Sequence, residues 1–166
     1  MTSTSVLVDG ERLTIRPVTE SDTAALILMH RGLSAQSVYQ RFLSVMPELA
    51  PLQADRFTHV DGTHRVAFVA VDTADQLVAV GRYDRLPPDD RQAEVAFVVA
   101  DRYQHHGLGT LLVRLLTVHA REAGVQAFVA DVLSTNSAMH RTFRDAGLVA
   151  KATYDTGVAH LVMPLS

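Results

Sequence analysis

The run Glu94-Val95-Ala96-Phe97-Val98-Val99-Ala100-Asp101-Arg102-Tyr103-Gln104-His105-His106-Gly107-Leu108-Gly109-Thr110 changes its pattern midway. As far as Val99 it is rich in valine and alanine, the composition of a strand. Beyond Gly107, residues Leu108, Leu111, Leu112 and Leu115 fall at helical spacing and mark one face of a long helix that Gly124 terminates. The glycine-bearing turn between the two lets backbone come close to a ligand. The unpaired N–H groups of the first helical turn, with the positive end of the dipole, favour a phosphate or pyrophosphate there.

Working outward, Val125–Leu133 reads as a strand after the helix, and strand, helix, strand are the ingredients of a parallel βαβ unit. Upstream, Arg65–Val71 and Gln76–Arg85 form a hairpin around Thr73-Ala74-Asp75, and Gln92–Ala100 is the third member of that meander. Glu11–Arg16 alternates as a half-buried strand, Pro17 ends it, and a helix runs from about Ser21 to His30. Ser34 caps a second helix whose apolar face is Val38, Tyr39, Phe42 and Leu43. Pro51 begins a third helix that runs to about His59. After Leu133, Asn136 or Ser137 caps a helix to Ala146 and Gly147 closes it. Leu148–Tyr154 and Val158–Pro164 then make a last hairpin. The expected class is α/β: a mixed, mostly antiparallel sheet with a central parallel βαβ unit and flanking helices. Residues 1–166 are expected to form a single domain, with residues 1–10 as a flexible N-terminus.

Composition narrows the function classes. The 166 residues are 48% hydrophobic with a formal charge of -3, room for one core and no sign of a disordered chain. Cysteine is absent, which excludes disulfides, thiolate metal sites and a cysteine nucleophile. The start, MTSTSVLVDG, has no signal-peptide pattern, and apolar runs reach only 6 residues, as in Ala24–Met29. A cytoplasmic protein with no membrane and no nucleic-acid partner is expected, since no basic face is apparent.

The turn lacks the Gly-Lys-Ser/Thr of a P-loop and the third glycine of a dinucleotide fingerprint, but Gln104-x-x-Gly107-x-Gly109 matches Gln/Arg-x-x-Gly-x-Gly/Ala. Taken alone, so short a pattern fits an anion site or a turn and helix cap with no ligand.

With its surroundings the pattern resembles the GNAT superfamily of N-acetyltransferases over nearly the whole chain. The likeness includes the strand Ala93–Val99, the long helix, and Asn136-x-x-Met139 leading to Phe143 and Ala146-Gly147-Leu148. Leu33-Ser34-x-x-Ser37-Val38-Tyr39-x-Arg41-Phe42, Thr58-His59-Val60-Asp61 and Arg65-Val66-Ala67 look like the GNAT domain of bacterial protein lysine acetyltransferases. Those proteins often carry an added nucleotide-binding or CoA-ligase-like domain, which is not expected here. The resemblance implies a GNAT fold and acetyl-CoA as cosubstrate. The backbones of Val98 and Val99 would hold the pantetheine arm. The segment Gln104, His105, His106, Gly107, Leu108, Gly109 and Thr110 would bind the pyrophosphate, and Asn136 would touch the pantetheine side or order the loop that does.

Acyl transfer to lysine needs a neutral nitrogen, and free lysine, with a pKa of ~10.4, requires a base to provide one. By the resemblance that base is Glu94, with its pKa raised by an apolar wall that includes Phe97; the competing reading is a solvated carboxylate or an ion-pair partner of Arg82 or Arg91. A backbone N–H within Val95–Val98 would stabilise the oxyanion. Phe143 stands where many members place a tyrosine acid, with Tyr103 and Tyr154 as possible substitutes. Tyr39 and Arg41 are candidates to line the acceptor site. The histidines lack zinc spacing, so no metal is expected. The function expected is acetylation of a lysine on a protein such as an acyl-CoA synthetase. The alternatives are a small-molecule amine acceptor or a non-catalytic acyl-CoA-binding module, and the oligomeric state is left open.

Overall fold

The computed structural model describes residues 3–166. Eight strands form one sheet, β1 (Thr4–Val8), β2 (Glu11–Pro17), β3 (Arg65–Val71), β4 (Leu77–Arg85), β5 (Gln92–Val99), β6 (Ala127–Leu133), β7 (Lys151–Asp155) and β8 (Val158–Pro164), in the order β1-β2-β3-β4-β5-β6-β8-β7. Every neighbouring pair is antiparallel except β5 and β6, which run parallel across helix α4 (Leu108–Glu122). The remaining helices are α1 (Thr23–Arg31), α2 (Ala35–Phe42), α3 (Pro51–Thr58) and α5 (Ser137–Asp145).

The period of two along the strands assigns the faces. On one face Ala93, Val95 and Val99 of β5 pack with Leu108, Leu112 and Leu116 of α4 and Phe143 of α5. Gly81 of β4 lies under that helix: a Cβ there would stand 3.2 Å from Leu112 Cβ and 3.2 Å from Leu116 Cδ1, so a larger residue would lift α4 from the sheet. On the other face Val69, Val71 and Leu77 pack with Leu26, Met29 and Ala54 of α1 and α3, joined by Val80, Val98, Phe42 and Phe57.

Two expectations are corrected. The first ten residues are not a flexible tail in their described part, because Thr4–Val8 pairs with Ile15–Glu11 across an Asp9-Gly10 turn, both residues having positive φ. Met1 and Thr2 lie outside the described residues. In α2, Val38 is buried and Phe42 half-buried, but Tyr39 is 43% exposed and Leu43 is the left-handed C-cap at φ 55°. The apolar face therefore narrows to the i, i+4 pair, because the helix ends before Leu43 can join it.

Candidate active site

The site begins where two strands part. β5 and β6 are in register at Gln92↔Ala127, Ala93↔Phe128 and Glu94↔Val129, and nowhere further along. β6 continues against β8 to Leu133, while β5 from Val95 to Val99 keeps only β4. Phe97 of β5 and Phe143 of α5 meet edge to face at 5.7 Å near the opening. The side of β5 that faced β6 consequently presents backbone donors and acceptors with no strand to pair them.

The loop beyond β5 reaches α4 through two left-handed residues, His105 at φ 67° and Gly107 at φ 84°. Gly107 is the N-cap of α4, and Leu111 N is the first helical donor, bonding to Gly107 O at 3.0 Å. The amides before it point out of the helix end, an anion site by geometry. Gly109 is small for a second reason: a Cβ would stand 3.0 Å from Phe97 Cε2 and 3.5 Å from Thr142 Cγ2. Gln104 holds the loop in place. Its Nε2 donates to Val99 O at 2.9 Å and to Ser37 Oγ at 3.1 Å, while Ser34 N donates to Asp101 at 3.2 Å, pinning the start of α2 to the same loop.

These elements enclose a cleft of about 260 Å³. Arg41, Val98, Val99, Gln104, His105, Gly107, Leu108, Gly109, Thr110 and Asn136 line it; His106, Tyr39 and Glu94 do not. Asn136 is buried, and its side-chain oxygen caps α5 by accepting from Met139 N at 3.2 Å. The sequence reading missed Ser37 and Gln40 of α2 and Met139, Arg141 and Thr142 of α5, which also line the cleft. Asn136-x-x-Met139 pointed to α5 but not to which of its faces turns inward.

Glu94 sits at the last paired register of β5 and is exposed. Strand parity places it with Ala96 and Val98, on the face of α1–α3, and Phe97 on the opposite face. Phe97 therefore cannot wall its carboxylate, which corrects that expectation. Nor is it paired with Arg82 or Arg91: Arg82 Nη2 donates to the two oxygens of Asp84 at 2.8 and 3.0 Å, and Arg91 faces Asp89 at 3.9 Å. Asp84 is the cross-strand partner of Glu94, so two carboxylates stand side by side, one held by Arg82. Arg41 is half-buried, with its guanidinium 4.6 Å from the Phe42 ring centre. Burial, then the Arg82 cation, lower its pKa to about 10 against the opposing pull of Glu94 and Asp84.

Neither tyrosine offered as a substitute acid for Phe143 is placed to act as one. Phe143 is buried and has no hydroxyl. The Tyr103 hydroxyl donates to Glu11 at 2.5 Å and accepts from Arg102 at 2.6 Å, and burial followed by the Glu11 contact pushes its pKa up to about 12. Tyr154 is 70% exposed on the outermost strand, β7. Among the described residues no group of three or more His, Asp or Glu side chains is placed to hold a metal, and no helix is long and apolar enough to cross a membrane.

Residues 12–149 match the model of the acetyltransferase (GNAT) domain family. The chain is 33% identical over 140 residues to acetyltransferase Pat of Mycolicibacterium smegmatis, covering 84% of this chain and 42% of that one. Against an acetyltransferase of Pseudomonas aeruginosa it is 32% identical over 142 residues, covering 84% of this chain and 74% of the other. Among solved structures, the GNAT domain of S. lividans PAT superposes with a TM-score of 0.89 at 33% identity, covering 98% of this chain and 96% of that one. The chain thus spans less than half the length of the mycobacterial relative.

Proposed function

The chain belongs to the GNAT acetyltransferase domain family, and from that premise we propose that it transfers acetyl from acetyl-CoA directly to a lysine side chain of a protein, with Glu94 as general base. The observation that carries this reading is the parting of β5 from β6 immediately after Glu94, with the anion-binding end of α4 at the far end of the opened edge.

The residues present fit acetyl-CoA. The outward amides of the Gly107–Thr110 turn suit a pyrophosphate, and the edge of β5 around Val98 and Val99, which no strand covers and where Gln104 takes only the Val99 carbonyl, suits the amide-bearing pantetheine arm. His105 and Gln104 shape that turn, and Asn136 caps α5, whose Met139, Arg141 and Thr142 line the cleft. When bound, acetyl-CoA supplies the activated acyl group. Glu94 takes the proton from the acceptor ammonium at its carboxylate, which its exposure leaves open to the amine directly or through one water. On the acceptor side, Arg41 of α2 lines the cleft, and Tyr39, exposed on the same helix, is the second candidate for contact with the acceptor. With no hydroxyl on Phe143, Tyr103 committed to Glu11 and Tyr154 exposed on the outermost strand, neither candidate tyrosine is placed to protonate the leaving thiolate, and a thiol of pKa ~8.5 departs readily near neutral pH.

Support for the acceptor class comes from the resemblance to bacterial protein lysine acetyltransferases and from the match to acetyltransferase Pat; a cytoplasmic location belongs to the same proposal. Release of CoA, read with a thiol-reactive dye, tests it with an acyl-CoA synthetase as acceptor beside a panel of small amines. The cysteine-free chain adds no thiol background of its own. Release with the synthetase and not the amines is expected. Release only with an amine contradicts the acceptor assignment and keeps the chemistry.

A further inference from the structure

On the acceptor face, behind Glu94, a buried cation lacks a full set of partners. Arg82 of β4 is only 4% exposed, and its Nη2 is spent on Asp84. Its Nη1 is buried with no hydrogen-bond partner. Native proteins rarely leave such a group unpaired, because the lost hydration is not recovered. The guanidinium lies 4.4 Å from the Phe57 ring centre. Arg41 stands beside it, 5.8 Å from the same ring, and has no hydrogen-bond or ion-pair partner among the described residues.

Arg82 and Arg41 are both among the residues around a second, small pocket of about 30 Å³, whose walls are otherwise mostly apolar, Phe42, Phe57, Ala96 and Val98 among them. That space suits about two water-sized groups, the size of a carboxylate and too small for a ring. Arg41 and Val98 also line the larger cleft, so the pocket adjoins that cleft. Neither nearby carboxylate satisfies it: Asp84 is bound to Nη2, and Glu94 is ion-paired to neither arginine.

We propose that Arg82 Nη1 and Arg41 form a carboxylate-binding subsite that selects a carboxylate-bearing reactant. This deepens the acyl-transfer reading and rests on it for the reaction the subsite serves. The planar guanidinium suits a carboxylate better than a diffuse anion, and the aromatic walls exclude competing water. The carboxylate comes from one of two sources: an acidic side chain next to the acceptor lysine, or the far end of a dicarboxylic acyl group carried as its CoA thioester.

The test uses the full chain as wild type, Arg82→Gln and Arg82→Lys. The lysine variant keeps a cation beside Asp84 while removing Nη1, and so stands in if the glutamine variant fails to fold. Propionate and propionamide are first compared by thermal shift, which needs no turnover; propionate alone should raise the melting temperature, and Arg82→Gln should abolish the difference. Turnover is then compared for lysine peptides differing only in Glu or Gln beside the acceptor, and for succinyl-CoA against butyryl-CoA. One arm should prefer the charged member about tenfold or more, falling to within about twofold in both variants. Preference for the Glu peptide assigns the carboxylate to the acceptor, and preference for succinyl-CoA assigns it to the acyl group. Equal response to propionate and propionamide overturns the subsite and leaves an ordinary water as the partner of Nη1. Turnover without discrimination in either arm overturns its role in the reaction. Selective propionate binding with no turnover on any amine overturns the acyl-transfer reading instead and leaves the subsite standing.

Discussion

The two sides of β5 are built by different means. On the opened edge the anion site of the cleft is made largely of backbone: the amides of Gly107–Thr110 and the left-handed His105 and Gly107. On the α1–α3 face the proposed chemistry rests on side chains from four elements, Arg41 of α2, Phe57 of α3, Arg82 and Asp84 of β4, and Glu94 of β5. A backbone site needs a particular chain conformation, and one contiguous stretch can dictate it. A side-chain site needs only that distant residues be brought together, and many sequences achieve that.

Substitutions on the two sides should fail differently. Glu94→Gln has the largest expected effect, a loss of about 10²–10⁴ in kcat with the KM for acetyl-CoA unmoved, read by steady-state CoA release. On the cleft side, Gly109→Val drives a branched side chain into Phe97, where a Cβ alone is already 3.0 Å away. Overpacking of that kind costs about 1–3 kcal/mol, and the displaced first turn of α4 should weaken acetyl-CoA binding by about 100-fold, measured by calorimetry beside the melting temperature. Gln104→Ala is milder. It releases Val99 O and Ser37, lowering stability by about 1 kcal/mol and raising the KM for acetyl-CoA several-fold at constant kcat. If it lowered kcat instead, the division between the two sides would be broken.

The smallest effect belongs to the support of the acceptor face. Asp61, between α3 and β3, accepts from the amides of Arg65, Thr63 and His64 at 2.8–2.9 Å, and those bonds hold its pKa at about 2. A folded pKa below the unfolded ~3.9 means that its contribution is present above pH ~4 and is lost as the pH falls through about 2. Asp61→Asn should flatten the melting-temperature profile in that window and leave acetyl-CoA binding unchanged. Exposure of the carboxylate to solvent keeps the effect small.

The same contrast governs what could be read from the sequence. The βαβ unit was legible because the change of period at Gly107 and the glycine closing α4 are local signals. Ten of the residues expected at the site do line the cleft, most of them within or beside one motif. Glu94 was located by its distance before the glycines, but its surroundings were misjudged: Phe97, three residues on, belongs to the other face of the strand. Arg82 and Asp84 gave no signal as site residues, because cross-strand register with Ala96 and Glu94 is a tertiary fact. The N-terminal strand was missed as well. Its partner Glu11–Pro17 was legible, yet Thr4–Val8 is exposed at three of its five positions and buries only Val8.

The central claim is that cofactor binding and proton removal are separable across β5. It is tested most directly by measuring the acetyl-CoA Kd of Glu94→Gln and Gly109→Val side by side with wild type by calorimetry. The account predicts a Kd within about twofold of wild type for Glu94→Gln and about 100-fold weaker for Gly109→Val. Equal weakening in both, or wild-type affinity in Gly109→Val, would contradict it.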